Sequence, residues 1–210
     1  FKVLMALMTM YSLMAVSLDF VGAYLNSDLK ETHIYSRFPH GYARYDQQGR
    51  ELCMHFRKGI YGLIQSGAAW HRTIKAWMIA YGFECISPDS CIYIMHVGTA
   101  VLIVFIYVDD CGLLYNDTKI KDDFVTALTH PETGFQVTET PSLAWFLGVN
   151  IVRTAHTTQL DARKLINEKL NMLSLTNTSI KPTPGSTQMS KAADSTTPLS
   201  KEDATWYRKA

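Results

Sequence analysis

The sequence predicts an α+β fold, an antiparallel sheet with helices packed on one face, and three runs of residues carry that prediction. Val101 to Ile106 is an unbroken Val-Leu-Ile-Val-Phe-Ile stretch, too apolar for a strand with one wet face. Met14 to Phe20 is a second apolar run of strand length, and each run leads to aspartate, Asp19 in one and Asp109-Asp110 beyond the other. Between them Ala69, Trp70, Ile74, Trp77, Met78 and Tyr81 recur at helical spacing, which makes Ser66 to Tyr81 a helix with one buried stripe.

Taken in order, Phe1 to Tyr11 is helix-like and Met14 to Phe20 strand-like. Together they are apolar enough to imitate a signal or membrane segment. Lys2, the missing basic leader and the switch from helical to strand patterning argue instead for a chain that begins inside a fold. Gly22 and Asn26-Ser27-Asp28 supply turn chemistry, and His33 to Ser36 and Glu51 to Phe56 read as strands around a loop from Gly41 to Gly49. Gly82 stands where a helix C-cap belongs. Cys91 to Met95 and Ala100 to Tyr107 pair about Gly98, and Cys111 to Tyr115 is the hairpin return. Asp117 caps a helix through Leu128, Phe135 to Val137 and Trp145 to Arg153 read as strands, and Asp161 to Leu173 as an amphipathic helix. Met14 to Phe20, Ala100 to Tyr107 and Cys111 to Tyr115 are expected to be sheet neighbours, with the helix Ser66 to Tyr81 behind them. Residues 1–176 are expected to form the folded unit. Residues 177–201, rich in Ser, Thr, Pro and Lys, read as a linker, and 202–210 as the cut start of a following segment.

With 47% apolar side chains, 210 residues suffice for a sizeable core. Lys and Arg number 20 against 19 Asp and Glu, so the chain has no overall attraction for a polyanion and any nucleic-acid grip must be local. Cys53, Cys85, Cys91 and Cys111 form no CxxC pair, which argues against a zinc knuckle or a disulfide scaffold and for a reducing, intracellular setting. The seven histidines lack metal-ligand spacing, and no GxSxG box or phosphate-cradling loop occurs.

Tyr107-Val108-Asp109-Asp110 sets two adjacent carboxylates at a hairpin tip fed by a buried strand. Such charges are costly to hold together without a cation. Four residues of this kind also recur by chance at solvated turns, so Asp19 at the end of the other apolar strand is what shifts the balance. Mg²⁺ takes hard oxygen ligands, usually one or two carboxylates with water and phosphate. Neighbouring strands lie about 4.8 Å apart, and their terminal carboxylates can bracket two ions roughly 3.5 to 4 Å apart. That arrangement activates a 3′-hydroxyl and stabilises leaving pyrophosphate. Tyr24, five positions after Asp19, could swing its ring beside the site and exclude a 2′-hydroxyl; core packing is the plainer role for a lone Tyr.

These residues resemble the copia-type retrotransposon reverse transcriptases. Leu18 to Asn26, Ile34-Tyr35, Phe38-Pro39 and Gly41 are similar to that family's aspartate-aromatic, Leu-Asn-Gly-Asp-Leu, Ile-Tyr and Pro-Gly-Phe segment. Ile60 to Ser66 followed by Trp70 resembles its Leu-Tyr-Gly-Leu-Lys-Gln-Ser-Pro-Arg box and tryptophan. Tyr107 to Asp110 matches its active-site box, Phe146 to Ile151 its Leu-Gly-Met-Glu-Ile strand, and Tyr207-Arg208 its later Tyr-Arg box. The matches follow one another in order from Leu13 to Arg208.

The resemblance implies a ferredoxin-like palm sheet with part of the fingers and the start of the thumb and connection. It implies template-directed DNA synthesis by two Mg²⁺ or Mn²⁺ ions on Asp19, Asp109 and Asp110, with the Phe20 carbonyl as a further oxygen ligand. Tyr24 would gate the sugar, and Tyr61, Gly62 and Gln65 would line the incoming nucleotide and template. The implied partners are a primed RNA or DNA template, deoxynucleoside triphosphates and other parts of a Pol polyprotein, with no membrane, in a cytoplasmic virus-like particle or the nucleus. Ile64, Gly67 and Ala68 stand where the family has Lys, Pro and Arg, and the basic finger strands that precede Asp19 in the family are absent. A truncated, catalytically decayed copy serving as a nucleic-acid-binding or interaction module is therefore the second reading. A cyclase on the same sheet is the third, opposed by the box from Tyr61 to Gln65.

Overall fold

Alternating apolar strands build the main sheet of this molecule. The computed structural model describes residues 1–29, 33–86, 91–132 and 134–173. In chain order these contain α1 (Lys2–Met10), β1 (Met14–Phe20), a 3-10 turn (Ala23–Asn26), β2 (Ile34–Arg37), β3 (Cys53–Phe56), α2 (Ile64–Tyr81), β4 (Glu84–Cys85), β5 (Ile92–Val97), β6 (Ala100–Tyr107) and β7 (Asp110–Tyr115). There follow α3 (Thr118–Leu128), β8 (Val137–Thr140), β9 (Trp145–Phe146), β10 (Val149–Arg153), β11 (Thr158–Asp161) and α4 (Arg163–Met172). The expected linker at 177–201 and the segment 202–210 lie outside the described residues.

The main sheet is antiparallel, in the order β4-β5-β6-β7-β1-β8, so the three strands expected to be neighbours are neighbours. Leu102, Val104 and Ile106 of β6 join Val16, Leu18 and Phe20 of β1 and Cys111 and Leu113 of β7 in one core, against Trp70, Ile74 and Met78 of α2 and Ile120, Phe124 and Leu128 of α3. The stripe read from the sequence is the buried face of α2, and Gly82 closes that helix in the left-handed conformation at φ 114°. Asp117 caps α3 by accepting from the Ile120 amide.

The expectation of helices on one face is corrected. Ile103 and Phe105, the alternate residues of β6, are buried with Leu114 under Leu4, Met5 and Met8 of α1 and under Phe146 and Ile151 of the small sheet β11-β10-β9. A strand apolar on both sides must be covered on both sides, and α1 with the small sheet supplies the second cover. Gly112 makes room there: a Cβ on it would lie 2.1 Å from the Phe105 ring.

The strand expected over Trp145 to Arg153 is two strands, because Leu147 (φ 50°) and Gly148 (φ 76°) turn the chain back between β9 and β10. The helix expected from Asp161 begins at Arg163. Asp161 ends β11 and spends its carboxylate on the Arg163 amide and guanidinium, which holds its pKa low, at about 2. None of the residues of α4 is buried. Phe135, expected in a strand, precedes β8 and packs its ring edge-on to Phe20 and Trp70. Among the described residues no helix is long and apolar enough to cross a membrane.

Candidate active site at the tip of the central hairpin

Tyr107 pairs with Asp110, which leaves Val108 and Asp109 as the turn of the β6–β7 hairpin. Val108 has φ 58°, a left-handed conformation that opposes a β-branched side chain, and strain of this kind persists only where the surroundings hold it. Two ties do so. The indole N–H of Trp70 donates to the Val108 carbonyl at 2.6 Å, and the Phe20 amide donates to the Asp109 carbonyl at 2.9 Å. The tip is thereby fastened to both α2 and β1.

On β1, Asp19 stands directly opposite Asp110 of β7. Directly paired residues share a face with Cβ atoms about 4.5–5.5 Å apart, and like charges so placed repel. Burial, then the charges of Asp109 and Asp19, push the Asp110 carboxyl above its ordinary value. Both residues open into a cavity of about 240 Å³ whose wall includes Ser17, Thr140, Ser142, Trp145 and Phe146. Asp109 points elsewhere: its Oδ2 accepts from the Tyr61 hydroxyl at 2.9 Å. Burial, that hydrogen bond and the nearby carboxylates push the Tyr61 phenol up to about 12, so it stays a neutral donor.

Among the described residues no three His, Cys, Asp or Glu side chains converge on one point, and no Lys or Arg forms an ion pair with Asp19, Asp109 or Asp110. Two opposed carboxylates on an open face, left without a protein cation, fit the oxygen donor set of one hard divalent ion, whose other positions water or phosphate can fill. A second ion needs Asp109 as well.

Tyr24 follows β1 in the 3-10 turn, where Gly22 (φ 61°) redirects the chain. Its ring lies 4.5 Å from that of Tyr61, so the candidate gate and the candidate nucleotide-binding tyrosine touch each other beside the carboxylates. The loop bearing Tyr61 is tied down by two residues to which sequence reasoning assigned no positioning role. Buried Ser66 donates to the Ile60 carbonyl and accepts from the Ile60 amide, and Gly59 lies so close to the turn that a Cβ would sit 2.8 Å from the Tyr24 carbonyl. Trp70 belongs with them; its signal is an indole N–H in an apolar stripe, which must find an acceptor.

Gly62 and Gln65 are exposed, and neither bonds to the carboxylates. Gly62 has φ 97° and open space for 4 Å around the place a Cβ would take, so within the chain its role is the left-handed turn. Phe20 turns its side chain into the core against Trp70 and Phe135. Ile64 is 95% exposed, and Gly67 lies in the same helix, where a Cβ on it would come within 3.9 Å of the Tyr24 hydroxyl.

Residues 1–187 match the family model described as reverse transcriptase (RNA-dependent DNA polymerase). The chain is similar to two retrovirus-related Pol polyproteins of Arabidopsis thaliana, from transposons RE2 and RE1, at 29% and 27% identity over 160 residues, 76% of this chain and 10% of each relative. It is 33% identical over 112 residues, 53% of the chain and 8% of the relative, to a truncated transposon Ty1-A Gag-Pol polyprotein of Saccharomyces cerevisiae. The chain thus covers about a tenth of the length of the curated relatives it matches. No solved structure is a significant match.

Proposed function

The chain belongs to the reverse transcriptase (RNA-dependent DNA polymerase) family, in its copia-type transposon branch, and we propose that it adds deoxynucleotides to a primer 3′-end on an RNA or DNA template. The observation that carries this is the register pairing of Asp19 with Asp110 beside Asp109 at the hairpin tip. We read the main sheet as the palm, the β2–β3 ribbon and the loop to Tyr61 as part of the fingers, and the small sheet with α4 as the approach to the thumb.

Asp19, Asp109 and Asp110 would hold two Mg²⁺ or Mn²⁺ ions, with the Phe20 carbonyl as a further ligand. Such ions supply activation of the 3′-hydroxyl and neutralise charge on the leaving pyrophosphate. The residues of the chain do the rest. Asp19 and Asp110 hold their charges on one face at strand spacing, and the Trp70 bond to Val108 keeps the tip from drifting. Asp109 joins them by turning about its own side-chain bonds, at the cost of its Tyr61 hydrogen bond, about 1.5–3 kcal/mol for a bond to a carboxylate. Tyr24 acts as the sugar gate, steadied by the Tyr61 ring. Tyr61, Gly62 and Gln65 border the nucleotide and template. The implied partners are a primed template, deoxynucleoside triphosphates and other parts of a Pol polyprotein, in a virus-like particle or the nucleus.

One observation favours a second reading, a catalytically decayed copy that binds nucleic acid or another protein. Ile64 stands almost wholly in solvent at the start of α2, where the family carries a lysine. Primer extension on an RNA template with Mg²⁺ or Mn²⁺, comparing this chain with Asp110→Asn, separates the two. Extension that the variant lacks supports the polymerase. Template binding without extension in either protein supports decay.

A further inference from the structure

Away from the carboxylates, β2 and β3 form a two-stranded ribbon whose two faces differ in kind. Tyr35 pairs with His55 and Arg37 with Cys53, and alternation puts His33 and Arg57 on that same face. All six residues are exposed. The rings lie together and nearly parallel: Tyr35 stacks on His55 at 4.8 Å and 25°, and His33 lies 6.0 Å from the same imidazole at 24°. The opposite face carries Ile34, Met54 and Phe56, each half-buried, so the ribbon is amphipathic in an unusual sense, with flat rings and guanidiniums on its wet side. Among the described residues neither Arg37 nor Arg57 forms an ion pair. The six positions of the wet face include no carboxylate.

A chain of net charge +1 can hold a polyanion only through a local concentration of this kind. Rings offer every base a face to stack on, and cations beside them track the backbone; a duplex, whose bases already stack on one another, presents phosphates but no base faces. We propose that this face is a stacking platform for single-stranded nucleic acid, with bases lying on Tyr35, His55 and His33 and flanking phosphates held by Arg37 and Arg57. The chain leads directly from the platform to the carboxylates: β3 runs on through Arg57 and Lys58 to Tyr61, which bonds Asp109. From His55 to Tyr61 is six residues, at most about 20 Å, so a strand on the ribbon lies within a few nucleotides of the hairpin tip. Naming that strand as the template rests on the polymerase reading; the platform itself does not.

The test uses the whole chain and a fluorescently labelled 15-nucleotide oligodeoxythymidine, read by anisotropy across a salt series, beside a duplex of equal length. Replacing both stacking rings, Tyr35→Ala with His55→Ala, is expected to weaken single-strand binding at least about 30-fold, the loss of two stacked bases, and to leave the salt slope and the duplex affinity near their starting values. Tyr35→Phe with His55→Phe keeps the rings and is expected to restore binding. Arg37→Gln with Arg57→Gln is expected to weaken both ligands and to reduce the single-strand salt slope by about 1.4. Circular dichroism before each titration confirms that these exposed substitutions leave the fold intact. Single-strand affinity within twofold of the parent in both the alanine and the glutamine variants overturns the platform, even where primers are extended. An unmodified chain that binds the oligonucleotide through these residues and extends no primer overturns the polymerase reading and leaves the platform standing.

Discussion

The two faces of the main sheet are built from the same strands and end differently. Toward α2 and α3, Val16, Leu18 and Phe20 of β1 are buried to the end of the strand, where the rings of Trp70 and Phe135 close over Phe20. Toward α1 and the small sheet, cover reaches Phe105 and Leu114 and then stops, so Asp19 and Asp110 face an open cavity rimmed by Trp145 and Phe146. Successive side chains on a strand point to opposite faces, and one short strand can therefore anchor a core with Leu18 and Phe20 while displaying Asp19 between them. Rigidity comes from the closed face, and the proposed chemistry belongs to the open one.

Removing a carboxylate from the open face should separate the two functions most widely. Asp110→Asn is expected to lower primer extension on the order of 10⁴-fold, the scale at which losing one member of a jointly acting group is felt, while circular dichroism shows an unchanged fold. Retained extension would detach the open face from catalysis. On the closed face the same logic reverses: Phe124→Ala empties a fully buried site between α2 and the sheet and is expected to cost about 3–5 kcal/mol in denaturant unfolding. A loss below about 1 kcal/mol would mean that this face is not the rigid one.

Between these lies Gly112→Ala, which forces the Phe105 ring off β7 and away from its partner Phe146. Overpacking of this kind costs about 1–3 kcal/mol, and it should disturb the wall of the carboxylate cavity as well, so that stability and extension fall together. Smaller again is the effect of pH on the chain without divalent ions. The Asp110 pKa is raised in the folded state from its ordinary value of 3.8, so the folded chain binds that proton more tightly than the unfolded one. Its contribution to stability must rise as pH falls through the folded value toward 3.8. The melting temperature of the parent should therefore show a component favouring lower pH that Asp110→Asn lacks. Tyr61→Phe is expected to do least to the fold: releasing Asp109 should tighten divalent-ion binding about ten- to a hundredfold, measured by calorimetry, with little change in unfolding.

Much of the candidate site could be read directly from residue order. Asp19, Asp109 and Asp110 stood out as candidates because two apolar runs each lead to aspartate, where one such turn alone would recur by chance. The caps at Gly82 and Asp117 were legible for local reasons, a left-handed position and a short side-chain acceptor. Gly59, Ser66 and Trp70 were not legible as positioning residues. Each acts on a partner distant in sequence or through a backbone carbonyl, Trp70 across 38 residues to Val108; its indole N–H signals that an acceptor is needed, but nothing in the sequence says which. The break between β9 and β10 was hidden for a similar reason, since Leu147 at φ 50° is an unusual residue to turn on.

By itself the sequence determined the long strands and helices, that β6 must be covered on both sides, and which carboxylates stand at strand ends, because periodicity and burial are local consequences of side-chain chemistry. Tertiary structure alone decided that α1 and the small sheet form the second cover, that Asp19 meets Asp110 in register, and that Asp109 turns to Tyr61 instead of to that pair. Those outcomes depend on how separate segments pack and on which donor first reaches a free carboxylate, competitions among distant groups that no local pattern records.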